Sequence, residues 1–261
     1  QIYTHTLPGG AQLIGICAIG PSDACFNTRP AILILPGGGY AWCSRREADP
    51  VAMQFLQAGY NVFTLYYTAE VTDRARAALQ PLIDAAGAIL HIRRNAEQFG
   101  TAGENRHLRL LAGGHLAAST AILWDAELCR LPLASTHRGP PDAVVLASGH
   151  HAGEYRHDGS IVNLCGDDAD LRANGLENQV RDGLPPFFVW HTVEDPSVPV
   201  QNSLMLAGAL TAHKVRWSCI FAHDGHGTST CTREVNTPNK HNSAWVALCT
   251  DWLAETFDFH L

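Results

Sequence analysis

Four short segments of this chain carry residues whose types and spacing could do chemistry. Pro36-Gly37-Gly38-Gly39-Tyr40 sets consecutive glycines where backbone N–H groups, free of side chains, could point at an oxyanion. His191-Thr192-Val193-Glu194-Asp195-Pro196-Ser197-Val198-Pro199 places an acid just after an apolar run, in a turn stiffened by prolines. Asp195 there could orient a histidine and stabilise its imidazolium, with Glu194 as the fallback acid. Ala222-His223-Asp224-Gly225-His226-Gly227-Thr228 flanks His226 with glycines, which lets an imidazole project into a cleft. Acid, base and oxyanion donors are the parts that acyl transfer needs. The fourth segment runs from His107 to Ser119 and reads as a strand entering a helix through a tight turn of small residues. That is where a G-x-S-x-G elbow would display a nucleophilic serine. The small residues after the turn are present, and the serine is not.

Each segment also has a plainer reading. Glycine runs make tight turns, lone acids cap or sit in solvent, and histidines bind metals. His150, His151 and His157 lie close together in sequence, as do His223 and His226, but no H-E-x-x-H or comparable ligand set accompanies them. Asp167, Asp168 and Asp170 lack the ligand alternation and terminal Glu of a calcium loop and read as a solvated acidic segment. His115 falls in the first helical turn after the elbow, a structural position.

The elements that must hold these loops alternate. Gln1 to Ile19 reads as antiparallel edge strands. Ala31 to Leu35 is a continuous apolar run, the mark of a strand buried on both faces. Arg46 to Ala58 reads as a helix stopped by Gly59, and Asn61 to Tyr67 as the next strand. From Pro81, apolar residues recur at helical spacing through Phe99, predicting a helix that closes at Gly100. Asp142 to Ala147, Phe187 to His191 and Trp217 to Phe221 are further strands. Strands alternating with helices predict an α/β fold in one domain over residues 1–261: a mostly parallel central sheet with helices on both faces. Catalytic groups then belong on loops at the carboxyl ends of strands.

A chain of 261 residues, 46% apolar and 16% charged, can bury one sizeable core. A net charge of −7, with only 18 Lys and Arg that form no run, argues against nucleic-acid or anionic-membrane partners. The apolar stretches are too short to span a bilayer, and no signal peptide is expected, so the cytoplasm is slightly favoured as the compartment. The eight cysteines contain no C-x-x-C pair and read as scattered thiols.

Together these segments resemble bacterial α/β-hydrolases of the acetyl-xylan-esterase-like or acetyl-esterase-like branch, related to the hormone-sensitive-lipase group. The likeness is carried by Pro36 to Tyr40, Gly59 to Val62, Ala112 to Ser119, Trp190 to Pro196 with Val198-Pro199, and Gly225-His226-Gly227. Acid before histidine is also that fold's chain order. The resemblance implies a single α/β-hydrolase domain and a serine carboxylesterase removing short acyl groups, with carbohydrate or other small-molecule esters as substrates and no cofactor or metal. It makes Asp195 the triad acid, His226 the base, and the N–H groups of Gly38, Gly39 and Ala112 the oxyanion hole. The alternative is a catalytically inactive binding protein on the same fold.

The elbow departs from that pattern. The family's G-F-S-A-G-G-H-L-A-A-S is reduced here to A-G-G-H-L-A-A-S, with Leu111 where the serine is expected. A serine is therefore expected between Leu111 and Gly114 and is absent from the sequence. Either residues are missing at this point or the protein lacks the nucleophile. Deleting an odd number of residues inside a buried strand would turn every later side chain to the other face. One serine inserted between Leu111 and Ala112 gives L-L-S-A-G-G, and four residues after Gly113 restore G-x-S-x-G in full. A break or a non-standard residue is expected between Leu110 and His115.

Overall fold

The computed structural model describes residues 1–18, 28–69, 79–101, 109–125, 139–147, 155, 158–165, 175–233, 235 and 238–258. Its strands are β1 (Ile2–Thr6), β2 (Gln12–Ile16), β3 (Ala31–Leu35), β4 (Asn61–Tyr66), β5 (Arg109–Gly113), β6 (Ala143–Ala147), β7 (Phe187–Thr192) and β8 (Trp217–Ala222). They form one sheet in the order β1-β2-β4-β3-β5-β6-β7-β8. β1 and β2 pair antiparallel, as does β2 with β4, and every other pairing is parallel. The eight strands lie in the mostly parallel sheet expected of an α/β-hydrolase, with the antiparallel edge predicted for the first residues.

All five residues of β3 are buried, which explains the unbroken apolar run: a central parallel strand is covered on both faces. Leu33 and Leu35 pack on one side with α2 (Gln80–Arg94), α3 (His115–Ile122), α4 (Asp158–Cys165) and α5 (Gln201–Ala212). Ile32 and Ile34 face the other, with Phe55 of α1 (Asp49–Gln57), Trp190 of β7, and Trp245 and Leu253 of α7 (Trp245–Phe257). The Trp190 and Trp245 rings stack with centroids 5.5 Å apart. A short helix, α6 (Lys240–Ser243), precedes α7.

Two predicted helices have different bounds. The first begins as a 3-10 turn at Arg45–Glu47 and becomes α1 only at Asp49, because Pro50 has no N–H to give to the Arg46 carbonyl. That carbonyl accepts the Ser229 hydroxyl at 2.9 Å instead. The second ends at Arg94, not Gly100. Asn95 donates its side-chain amide to the His91 carbonyl at 2.8 Å, competing with helix continuation, and the chain goes on in turns. Phe99 still packs on the core, so the apolar recurrence outlasts the helix.

No described helix is long and apolar enough to cross a membrane. Cys17, Cys43, Cys165, Cys219, Cys231 and Cys249 are free thiols, and Cys25 and Cys129 lie outside the described residues.

At the end of β5, a Cβ on Gly113 would lie 2.8 Å from the Leu35 carbonyl oxygen and 3.1 Å from its Cβ. Strand backbone cannot yield as a flexible side chain can. Gly113→Ala is expected to lower unfolding free energy by about 1–3 kcal/mol in urea melts, and an unchanged midpoint would contradict this packing.

Candidate active site

The loop after β7 holds Asp195, whose side chain is fully buried. Oδ1 accepts the N–H groups of Ser197 at 2.9 Å and Val198 at 2.8 Å, a local turn that the Asp side chain itself templates. His226, on the loop after β8, donates Nδ1–H to Oδ2 at 2.8 Å, with Oδ1 at 3.1 Å. Thr192 Oγ1, at the end of β7, donates to the Gly225 carbonyl at 2.9 Å and ties the two loops, and Asn242 of α6 braces the second by donating to the His223 carbonyl at 2.8 Å. Glu194, the fallback acid, is instead exposed and pairs with His223 at 3.2 Å. His191 lies 3.8 Å from Asp195 Oδ2, but its Nε2 is engaged by the Val198 carbonyl at 2.9 Å and its Nδ1 by Ser203 Oγ at 2.6 Å.

These contacts set the charge states. Burial pushes the Asp195 carboxyl up, yet the His191 and His226 rings and the Val198 N–H around it together hold it well below the usual carboxylate range. Its hydrogen bond raises the His226 imidazole above the ordinary 6.5, against the opposing effect of burial, with Glu47 adding to the rise and Arg46 opposing it.

Nδ1 is spent on Asp195, which leaves Nε2 as the second ring nitrogen of His226, and the residue lines a cavity of about 440 Å³. Gly37, Gly38 and Gly39 line it too. Gly38 and Gly39 have φ of +135° and +61°, and a Cβ on Gly38 would run into the Trp42 carbonyl, so glycine is required. Neither Gly38 N–H nor Gly39 N–H is hydrogen-bonded to another described residue. On the same wall, buried Tyr40 gives its hydroxyl to a 2.5 Å hydrogen bond with His115 Nδ1.

Between β5 and α3, Gly114 closes the turn, and α3 starts at His115. Leu111 pairs with Leu33 and Val144 in the middle of the ladder, so the turn lies beyond it at Gly114, which lines the cavity with His115 and Leu116. Ala112 is buried inside β5 opposite Ile34 and Val145 and is not part of the cavity wall, so the structure does not bring it to Gly38 and Gly39. Its strand register is the reason, because the ladder continues one residue past it.

Sequence reasoning missed Glu47 and Tyr67, both on the cavity wall. Glu47 comes within 2.9 Å of the Gly37 amide only when the intervening loop closes, and nothing in its local sequence signals that. His150, His151, His157, Asp167, Asp168 and Asp170 lie outside the described residues. Among the described residues no group of three or more His, Cys, Asp or Glu side chains could hold a metal ion.

No family model matches the chain. A carboxylesterase from Lactobacillus plantarum superposes with a TM-score of 0.83 at 24% identity, covering 98% of each chain. An acetyl ester-xyloside bifunctional hydrolase from Caldicellulosiruptor lactoaceticus gives 0.74 at 26% identity, over 97% of this chain and 90% of that one. A protein named endo-1,4-beta-xylanase B from Butyrivibrio fibrisolvens is 35% identical over 212 residues, 79% of this chain. The chain spans about a third of that relative's length, 33%. The protein is an α/β-hydrolase in fold. Its solved neighbours include carboxylesterases, consistent with the acetyl-esterase-like branch.

The His226–Asp195 pair carries a pH signature. His226 titrates above its unfolded value of 6.5, so its contribution to stability is complete below 6.5 and is lost as pH rises through the folded value. Asp195 has the opposite sign: its contribution is complete above 3.8 and is lost only on acidification through its depressed folded value. By imidazole NMR, His226 should titrate above 6.5, and Asp195→Asn should lower that value, because burial then acts with less opposition. A His226 titration unmoved by Asp195→Asn would show that the pair does not form in solution.

Proposed function

We propose that the protein is a serine carboxylesterase that removes acetyl or other short acyl groups, with carbohydrate esters as its substrates. The observation carrying this reading is the 2.8 Å contact of His226 with buried Asp195, on the wall of the cavity that also exposes Gly38 and Gly39. In this mechanism an elbow serine attacks the acyl carbonyl while His226 Nε2 takes its proton. Asp195 holds the imidazole in the right tautomer and stabilises its charge. The N–H groups of Gly38 or Gly39 bind the oxyanion, and His226 returns the proton to the leaving alcohol. Water activated by the same histidine then hydrolyses the acyl-enzyme. The names of the xyloside hydrolase and of the xylanase relative support a carbohydrate alcohol.

The nucleophile is placed in residues missing from the elbow between Leu111 and Gly114. Gly113 has no room for a Cβ against Leu35, the crowding borne by the first glycine of G-x-S-x-G. That favours four residues lost after Gly113 over a single serine lost before Ala112. A second reading, a catalytically inactive hydrolase-fold binding protein, is favoured by the lack of a serine between Leu111 and Gly114 in the sequence.

Intact mass separates the two, set against the 28.2 kDa of this sequence. The esterase reading expects a native protein heavier than this that is labelled by a fluorophosphonate. It should hydrolyse p-nitrophenyl acetate faster than the octanoate, and His226→Ala should lower kcat by about 10²–10⁴-fold. A mass equal to the sequence, with no labelling and no hydrolysis above buffer, would leave the binding reading.

A further inference from the structure

We propose that Glu47 is the positioning residue of the oxyanion loop, its carboxylate clamping the Gly37 amide so that the N–H groups of Gly38 and Gly39 stay turned toward the cavity. This rests on the hydrolase reading of the site and names a part of it that no sequence motif marks.

The loop is held by its carbonyls. The Pro36 oxygen accepts the Tyr67 hydroxyl at 2.8 Å, and the Gly37 oxygen accepts the Ser44 N–H at 2.8 Å. The Gly38 oxygen takes the Ala41 N–H at 3.1 Å, and the Gly39 oxygen takes the Asn163 side-chain amide at 2.9 Å. Of the three glycine amides, the one at Gly37 has an acceptor, Glu47 Oε2 at 2.9 Å, while those at Gly38 and Gly39 are bonded to no other described residue. The Pro36–Gly37 peptide plane is pinned at both ends, its carbonyl by the Tyr67 hydroxyl and its N–H by Glu47, and so cannot rotate. Without the carboxylate, the Gly37 N–H would lose its acceptor and that plane would be held through its carbonyl alone, at the point where the strand backbone of β3 gives way to left-handed glycines.

Glu47 is the one carboxylate among the described residues lining this cavity. The charged and titratable groups facing it are Arg46 on its own turn, His226 from the loop after β8, and Tyr67 from the chain after β4. Burial pushes its carboxyl up, and the Gly37 amide, His226 and Arg46 pull it back. Its charge in turn favours the imidazolium of His226. Glu47 therefore has two separable actions: an acceptor for Gly37 and a charge felt by His226.

Three variants of the full chain, labelled with ¹⁵N-glycine, separate these actions. Glu47→Ala removes both, Glu47→Gln keeps an acceptor without the charge, and Glu47→Asp keeps the charge but withdraws the oxygen by one methylene. Amide exchange at Gly37 should quicken about 10- to 100-fold in Glu47→Ala, as loss of a hydrogen bond to a charged group implies, and clearly less in Glu47→Gln. Should Glu47→Ala not fold, Glu47→Asp supplies the fast-exchanging case with His226 titrating near its wild-type value. His226 should titrate lower in Glu47→Gln. With p-nitrophenyl acetate, Glu47→Ala should lower kcat by more than about tenfold with KM little changed, since the lost donors act on the transition state. Glu47→Gln should recover most of that loss above the His226 pKa. Wild-type exchange at Gly37 in both Glu47→Ala and Glu47→Asp, or a rise in KM alone, would overturn the proposal. Absence of hydrolysis by every form would count against the esterase reading only, because Gly37 exchange and the His226 titration decide the role of Glu47 without turnover.

Discussion

The buried carboxylate of Asp195 is the constraint on which the rest of this site depends. An ionised group with no solvent contact must be fully satisfied or it unfolds its surroundings. Its partners are the Ser197 and Val198 amides, available only because the loop after β7 folds back on itself, and the His226 ring, available only because the loop after β8 is tied to the end of β7. The anchoring runs outward: Asn242 of α6 holds the His223 carbonyl and the Asp224 carboxylate, and Trp245 behind it stacks on Trp190 of β7. The charge of one residue thus fixes the relative placement of two loops and ties them to the core.

Much of this was legible in the sequence, for definite reasons. β3 was readable because a strand covered on both faces needs apolar residues at every position, and Ala31 to Leu35 supply them. Asp195 and His226 were readable because each follows a strand and sits among turn formers. The bounds of α1 and α2 were not, because Pro50 and Asn95 act through individual hydrogen bonds that periodicity does not register. Ala112 was assigned by counting from a motif, which does not register that the ladder with Leu35 carries β5 on to Gly113. Glu47 was invisible, since its partner lies ten residues away across a loop that the local pattern leaves open.

The elbow joins these two themes. Its crowding is built into β3 and α3 as well as into β5: Gly113 is squeezed between the Leu35 backbone and Ala117. A tight strand-to-helix turn is thus maintained by neighbours that do not themselves react. The scaffold for displaying a side chain survives in the sequence independently of which side chain is displayed.

The rim of the cavity is organised differently. Trp42 is 60% exposed and Asn163 is exposed, and both stand on segments outside the strand ladder. Exposed positions of this kind are usually substituted within about ±0.5 kcal/mol, whereas Gly38 and Asp195 have no such latitude. Selection can therefore reshape what enters the cavity without disturbing what holds it together, so divergence among related chains should gather at the mouth while the floor stays fixed.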